Sequence, residues 1–98
     1  MKRQSSRFTR EASHVIAHLP PEAKRLIRAS IDELIARPAK GNELHMELSG
    51  SRSLKSNRYR IIYRVNEADS SIDIYHVGPR KDVYDNFREL VERWKREK

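Results

Sequence analysis

Between Arg52 and Arg64 the chain carries Arg52, Lys55, Arg58, Arg60 and Arg64, and no acidic residue. A segment that alternates like a strand yet spends outward positions on arginine is suited to face a polyanion. Tyr75 and Tyr84 follow, and an aromatic beside a basic surface can stack on a base. Together these are the ingredients of an RNA-binding face. RNA also supplies its own nucleophile, the 2′-hydroxyl. A protein can cleave it by holding that group in line and stabilising the phosphorane with guanidinium groups. Arginine and tyrosine suffice for positioning and charge stabilisation. They are poor general bases at neutral pH, so the base stays unassigned.

Other chemistries are excluded or unsupported. Cysteine is absent, which removes disulfides, thiolate nucleophiles and cysteine–zinc sites. No histidine pair and no carboxylate cluster has the spacing for metal-assisted hydrolysis, so neither a metal nor a cofactor is expected. His14, His18 and His45 have no partners at ligand spacing. His76 is tempting as an acid or base but reads better as a core residue. The net charge is +7, for which nucleic acid is the commonest partner. No apolar run approaches a membrane span, and the expected location is cytoplasmic.

The elements that must position these residues are legible from periodicity. The 98 residues suit one domain, 1–98, with a thin core that leaves room for a stabilising partner protein. Residues 1–6 read as a frayed end or a short edge strand. Thr9 is a helix N-cap, and Phe8, Ala12, Val15, Ile16 and Leu19 recur at helical spacing. Pro20 and Pro21 end that helix and open a second, striped by Ala23, Leu26, Ile27, Ile31, Leu34 and Ile35. Pro38 and Gly41 close it. The two helices form a hairpin whose apolar side needs a sheet.

From Leu44 the period changes to that of strands. A turn at Ser56-Asn57 sets Lys55 opposite Arg58 and Ser53 opposite Arg60. A turn centred on Ala68-Asp69 sets Arg64 opposite Asp73, Ile62 opposite Tyr75 and Ile61 opposite His76. One face then carries Ser53, Lys55, Arg58, Arg60, Arg64 and Tyr75. The other carries Leu54, Tyr59, Ile61, Tyr63, Ile74 and His76, and takes the helical hairpin. After Gly78-Pro79 a last helix begins near Lys81 or Asp82, with Val83, Phe87, Leu90, Val91 and Trp94 as its stripe. Trp94 is assigned either to the core or to a groove for a partner. The fold class is α+β, a helical hairpin on a small antiparallel sheet with a C-terminal helix.

The segments Leu44 to Gly50, Leu54 to Tyr63, and Val77-Gly78-Pro79-Arg80-Lys81-Asp82-Val83-Tyr84 resemble the RelE/ParE toxins of type II toxin–antitoxin systems. The resemblance covers nearly the whole chain. It implies a microbial-RNase-like fold and, for RelE-type members, metal-free cleavage of mRNA in the A site of the 70S ribosome, leaving a 2′,3′-cyclic phosphate. It also implies a cognate antitoxin that covers the basic face. Carried over by position, Arg60 stabilises the scissile phosphate, Arg80 serves the transition state or leaving group, and Tyr84 stacks on or orients the A-site base. Arg52, Lys55, Arg58, Arg64 and Lys81 are the expected RNA contacts. RelE carries two lysines where this chain has Ser51 and Ser53. ParE-type relatives share the scaffold, lack the catalytic set and act on DNA gyrase, which stands as the alternative. A non-catalytic nucleic-acid-binding module is the third reading.

Overall fold

The computed structural model describes residues 5–79 and 83–96. Strand β1 (Ser5–Phe8) leads into α1 (Arg10–Ala17) and α2 (Pro21–Ala36). After a 3-10 turn at Pro38–Lys40 come β2 (Asn42–Glu43), a second 3-10 turn at Met46–Leu48, then β3 (Arg52–Ser56), β4 (Tyr59–Asn66) and β5 (Ser71–Pro79). Helix α3 (Val83–Arg96) closes the order. The strands form one sheet in the order β1-β5-β4-β3-β2. It is antiparallel from β2 to β5, as expected, and β1 joins its edge parallel to β5.

Local chemistry explains the helix boundaries. Thr9 has an extended backbone, and its hydroxyl accepts from the Ala12 amide at 3.1 Å. The same hydroxyl donates to the Tyr75 carbonyl at 2.7 Å, tying the start of α1 to β5. Pro21 takes the first position of α2, where a missing N–H costs nothing. Ser30, at the small position of the α2 stripe, is hydrogen-bonded to Ser56 at 2.7 Å. Phe8 belongs to β1, not α1, and is 43% exposed.

The sheet is covered on both faces. One core joins Ala12 and Ile16 of α1 and Ile27, Ile31 and Leu34 of α2 to Leu54, Ile61, Tyr63, Ile72, Ile74 and Val77. The second joins Ile62 to Leu48 and to Val83 and Phe87 of α3, with Tyr75, Tyr84, Val91 and Trp94 packed against it. The expected open basic face is therefore partly roofed by α3. Trp94 belongs to this second core.

Two details of register depart from expectation. The hairpin turn falls at Asn57-Arg58, because Ser56 pairs with Tyr59. Lys55 then faces Arg60 and Ser53 faces Ile62, a two-residue displacement that keeps Ser53, Lys55 and Arg60 on their expected face but moves Arg58 from the strand into the turn. Asn57 takes the left-handed backbone, φ 57°, which asparagine tolerates. In β5, Arg64 faces Asp73 as expected, but a bulge then shifts the pairing. Ile62 faces His76 and Ile61 faces Val77. The extra residue lets Ile74 and Val77 both reach the hairpin core, while Tyr75 and His76 turn away from it. His76 is thus buried, but in the cleft between α1 and α3 and not on the hairpin face.

Tyr63 locks the approach to the sheet. Its buried hydroxyl donates to the Pro38 carbonyl and accepts from the Gly41 amide. A Cβ at Gly41 would stand 2.6 Å from that hydroxyl and 2.8 Å from the Ser53 carbonyl. Gly41→Ala is therefore expected to lower unfolding free energy by about 3 kcal/mol in urea denaturation. Gly50→Ala meets open space and only the strain of φ +92°, a loss of about 1–2 kcal/mol.

Candidate functional site

Arg60 sits near the start of β4, opposite Lys55 of β3 and Gly78 of β5. Opposed residues share a face, so two cations stand together where α3 begins. The guanidinium carbon of Arg60 lies 5.8 Å from the centroid of the Tyr84 ring. Tyr84 is the second residue of α3, and its hydroxyl is hydrogen-bonded to that of Ser53 at 3.1 Å. A glycine at position 78 lets the start of α3 pack close to β5. A Cβ there would meet Val83 Cγ2 at 3.2 Å and His76 Nε2 at 3.3 Å.

The ring holds Arg60 from the side by a cation–π contact and engages none of its N–H donors. Arg60 Nε is shielded from solvent and has no hydrogen-bond partner among the described residues. Arg60 as a whole is half-buried, and a phosphate oxygen is the acceptor a guanidinium fits best. Lys55, Arg58, Arg60 and Arg64 form no ion pair among the described residues. Lys55 is exposed on the strand, and Arg58 is exposed in the hairpin turn.

The remaining candidates divide. Arg64 lies on the same face as Arg60, two side chains along, beyond Ile62. The carboxylate opposite it, Asp73, is already held by Arg7 at 2.9 Å and by Ser71 at 2.8 Å. Those bonds, the Arg7 one first, keep Asp73 below the usual carboxylate range. Arg52 alternates to the hairpin face. Its guanidinium donates to the Gly41 carbonyl at 2.8 Å and to Glu43 at 3.4 Å, so its donors are engaged away from Arg60. Arg80 and Lys81, together with the possible cap Asp82, lie outside the described residues.

Tyr75 does not present an open stacking face. Its ring stacks on Phe87 at 6.1 Å and meets the edge of Trp94 at 5.9 Å. The sequence contained the reason: Ile62 interrupts the basic alternation with an apolar side chain that needs a cover, and the α3 stripe supplies it. Ser51 and Ser53 are buried. The tie between Ser53 and Tyr84 was not foreseeable from spacing, because it joins residues 31 apart in the chain. Among the described residues no group of three metal-ligating side chains comes together, and no helix is long and apolar enough to cross a membrane.

Three kinds of likeness agree with this architecture. Residues 3–84 match the family model described as the ParE toxin of the type II toxin–antitoxin system ParDE. Toxin RelG of Mycobacterium tuberculosis is 30% identical over 80 residues, covering 80% of this chain and 92% of that protein. The chain belongs to the RelE/ParE family of type II toxin–antitoxin toxins. Among solved structures, the RelBE2 toxin–antitoxin complex of Mycobacterium tuberculosis matches with a TM-score of 0.67 at 28% identity, covering 81% of this chain and all of that one. A free Escherichia coli RelE variant with two arginines replaced by alanine matches with a TM-score of 0.75 at 19% identity, over 94% of this chain and 98% of that one. The last shows the fold alone.

His76 gives a pH test of the α1–α3 junction. Both its ring nitrogens are shielded and without a partner among the described residues, and burial pushes its pKa below the ordinary 6.5. The unfolded chain therefore takes up this proton before the folded chain does. Stability is highest above about pH 6.5 and falls as pH drops toward the folded value. Thermal melts from pH 7.5 to 5 should show a falling Tm, and His76→Leu should flatten that slope.

Proposed function

We propose that the protein is the toxin of a type II pair and acts as a ribosome-dependent, metal-free endoribonuclease that cuts mRNA in the A site of the 70S ribosome. The observation that supports this reading is the half-buried Arg60 guanidinium beside Tyr84, with no carboxylate partner among the described residues and with Lys55 across the strand. In the proposed reaction the 2′-oxygen attacks the adjacent phosphorus, the 5′-oxygen leaves, and the products carry a 2′,3′-cyclic phosphate and a 5′-hydroxyl. Arg60 neutralises charge on the equatorial oxygens of the phosphorane. Tyr84 orients the A-site base, and Arg80 assists the transition state or the leaving group. Lys55, Arg58, Arg64 and Lys81 hold flanking phosphates, while Arg52 contributes to the field more than to contact.

Removal of the 2′-proton is left to the ribosome-bound substrate's own setting, since neither arginine nor tyrosine is an efficient base near pH 7. Positioning by the ribosome supplies the in-line geometry a small open surface cannot impose alone. The cognate antitoxin is proposed as an acidic segment that covers the Arg60 face. The matching structure from Mycobacterium tuberculosis is a toxin–antitoxin complex, RelBE2, and that from Pyrococcus horikoshii OT3 is a RelE–RelB complex.

A second reading, inhibition of DNA gyrase without nuclease activity, is favoured by buried Ser51 and Ser53 standing where RelE has lysines. Induced expression discriminates the two. The nuclease reading expects growth arrest with in-frame mRNA ends and 5′-hydroxyl termini, and Arg60→Ala should reduce cutting by about 100-fold or more while the fold persists. Intact transcripts beside stalled replication would replace it with the gyrase reading.

A further inference from the structure

We infer that Ser53 is a positioning residue that acts on Arg60 through Tyr84; this rests on the nuclease reading. Ser53 is 2% exposed, so RNA cannot reach its hydroxyl in the folded protein. Its side chain points to the Arg60 face, because β3 pairs Ser53 with Ile62 and Lys55 with Arg60. There its hydroxyl meets that of Tyr84 at 3.1 Å, and this is the only hydrogen bond of either side chain's oxygen among the described residues. Tyr84 in turn flanks the guanidinium of Arg60 at 5.8 Å.

The relay has a clear physical logic. Arg60 has no carboxylate partner among the described residues, and the Tyr84 ring is the contact that flanks its guanidinium. Tyr84 supplies that wall, and it stands at the second residue of α3. A ring there has two soft torsions. The Ser53 bond pins the far end of the ring, fixing both torsions at once. It does so without adding charge, whereas a lysine at position 53 would press a third cation against Arg60 and Lys55. A buried hydroxyl left without its partner would cost free energy, so the bond is favoured over other ring positions. The Arg60–Tyr84 slot is thus set before substrate arrives, and catalysis gains from geometry that needs no reorganisation.

The test is a double-mutant cycle on Ser53→Ala and Tyr84→Phe, each of which cuts the same bond from one side. Cleavage is read on programmed ribosomes in a purified translation system. Each single variant should lower kcat roughly fivefold to tenfold with KM within about twofold of wild type. The double variant should be no worse than either single one. Ser53→Thr, which keeps the hydroxyl, should recover most of the loss. Losses that multiply in the double variant, or a Ser53→Ala protein as fast as an active wild type, would overturn the inference.

If the wild type does not cut RNA at all, the nuclease reading fails separately. The relay is then judged by NMR of the Arg60 side-chain N–H group. Its signal should move in both Ser53→Ala and Tyr84→Phe and return in Ser53→Thr. A signal indifferent to Ser53 would overturn the relay. Tyr84→Phe also covers the case in which Ser53→Ala does not fold.

Discussion

Three consecutive residues of β4, Ile61, Ile62 and Tyr63, are fully buried. On a strand, neighbours point to opposite faces. A run buried at every position therefore requires a layer on each side of the sheet, and the α1–α2 hairpin can supply only one. The second layer is α3, drawn onto Ile62. That single requirement turns a two-layer domain into a three-layer one, and it brings Tyr84 over the basic end of β4. The bulge in β5 and the glycine at position 78 serve the same end. The bulge releases Tyr75 to pack under α3, and the missing Cβ lets Val83 settle beside His76.

The site is assembled at some cost to stability. Lys55 and Arg60 face each other across the strands, a like-charge pairing that opposes the sheet by about 0.2–1 kcal/mol. Arg60 Nε is left without an acceptor among the described residues. Elsewhere the chain compensates its charges: Arg7 with Asp73, Arg25 with Glu22, Lys40 with Glu33. Among the described residues the four cations Lys55, Arg58, Arg60 and Arg64 form no ion pair, and a polyanion or an acidic partner segment would relieve their repulsion.

Much of this was legible in the sequence. Thr9, the Pro20-Pro21 junction and the α2 stripe rest on local rules, which caps and periodicity state directly. The basic face was also legible, because alternation survives a two-residue displacement of the hairpin. What escaped was long-range. A bulge leaves no mark in the pattern of Ile74, Tyr75, His76 and Val77, so the site of His76 was misplaced. The destination of α3 depended on reading Ile62 as an exposed apolar gap needing cover, and Tyr75 was left open because that gap went unread. Polar ties such as Ser53 to Tyr84 depend on tertiary docking and carry no sequence signature.

The central claim is that the unsatisfied guanidinium beside Tyr84 is a seat for an RNA phosphate. Its most direct measurement is NMR of the Arg60 Nε–H group during titration with a short RNA blocked by a 2′-O-methyl group at the scissile position. A phosphate seated there predicts that the Arg60 signal shifts and saturates together with the Tyr84 ring signals, and that added salt reverses both. A saturating titration that moves signals on α1 or α2 while Arg60 and Tyr84 stay fixed would contradict it.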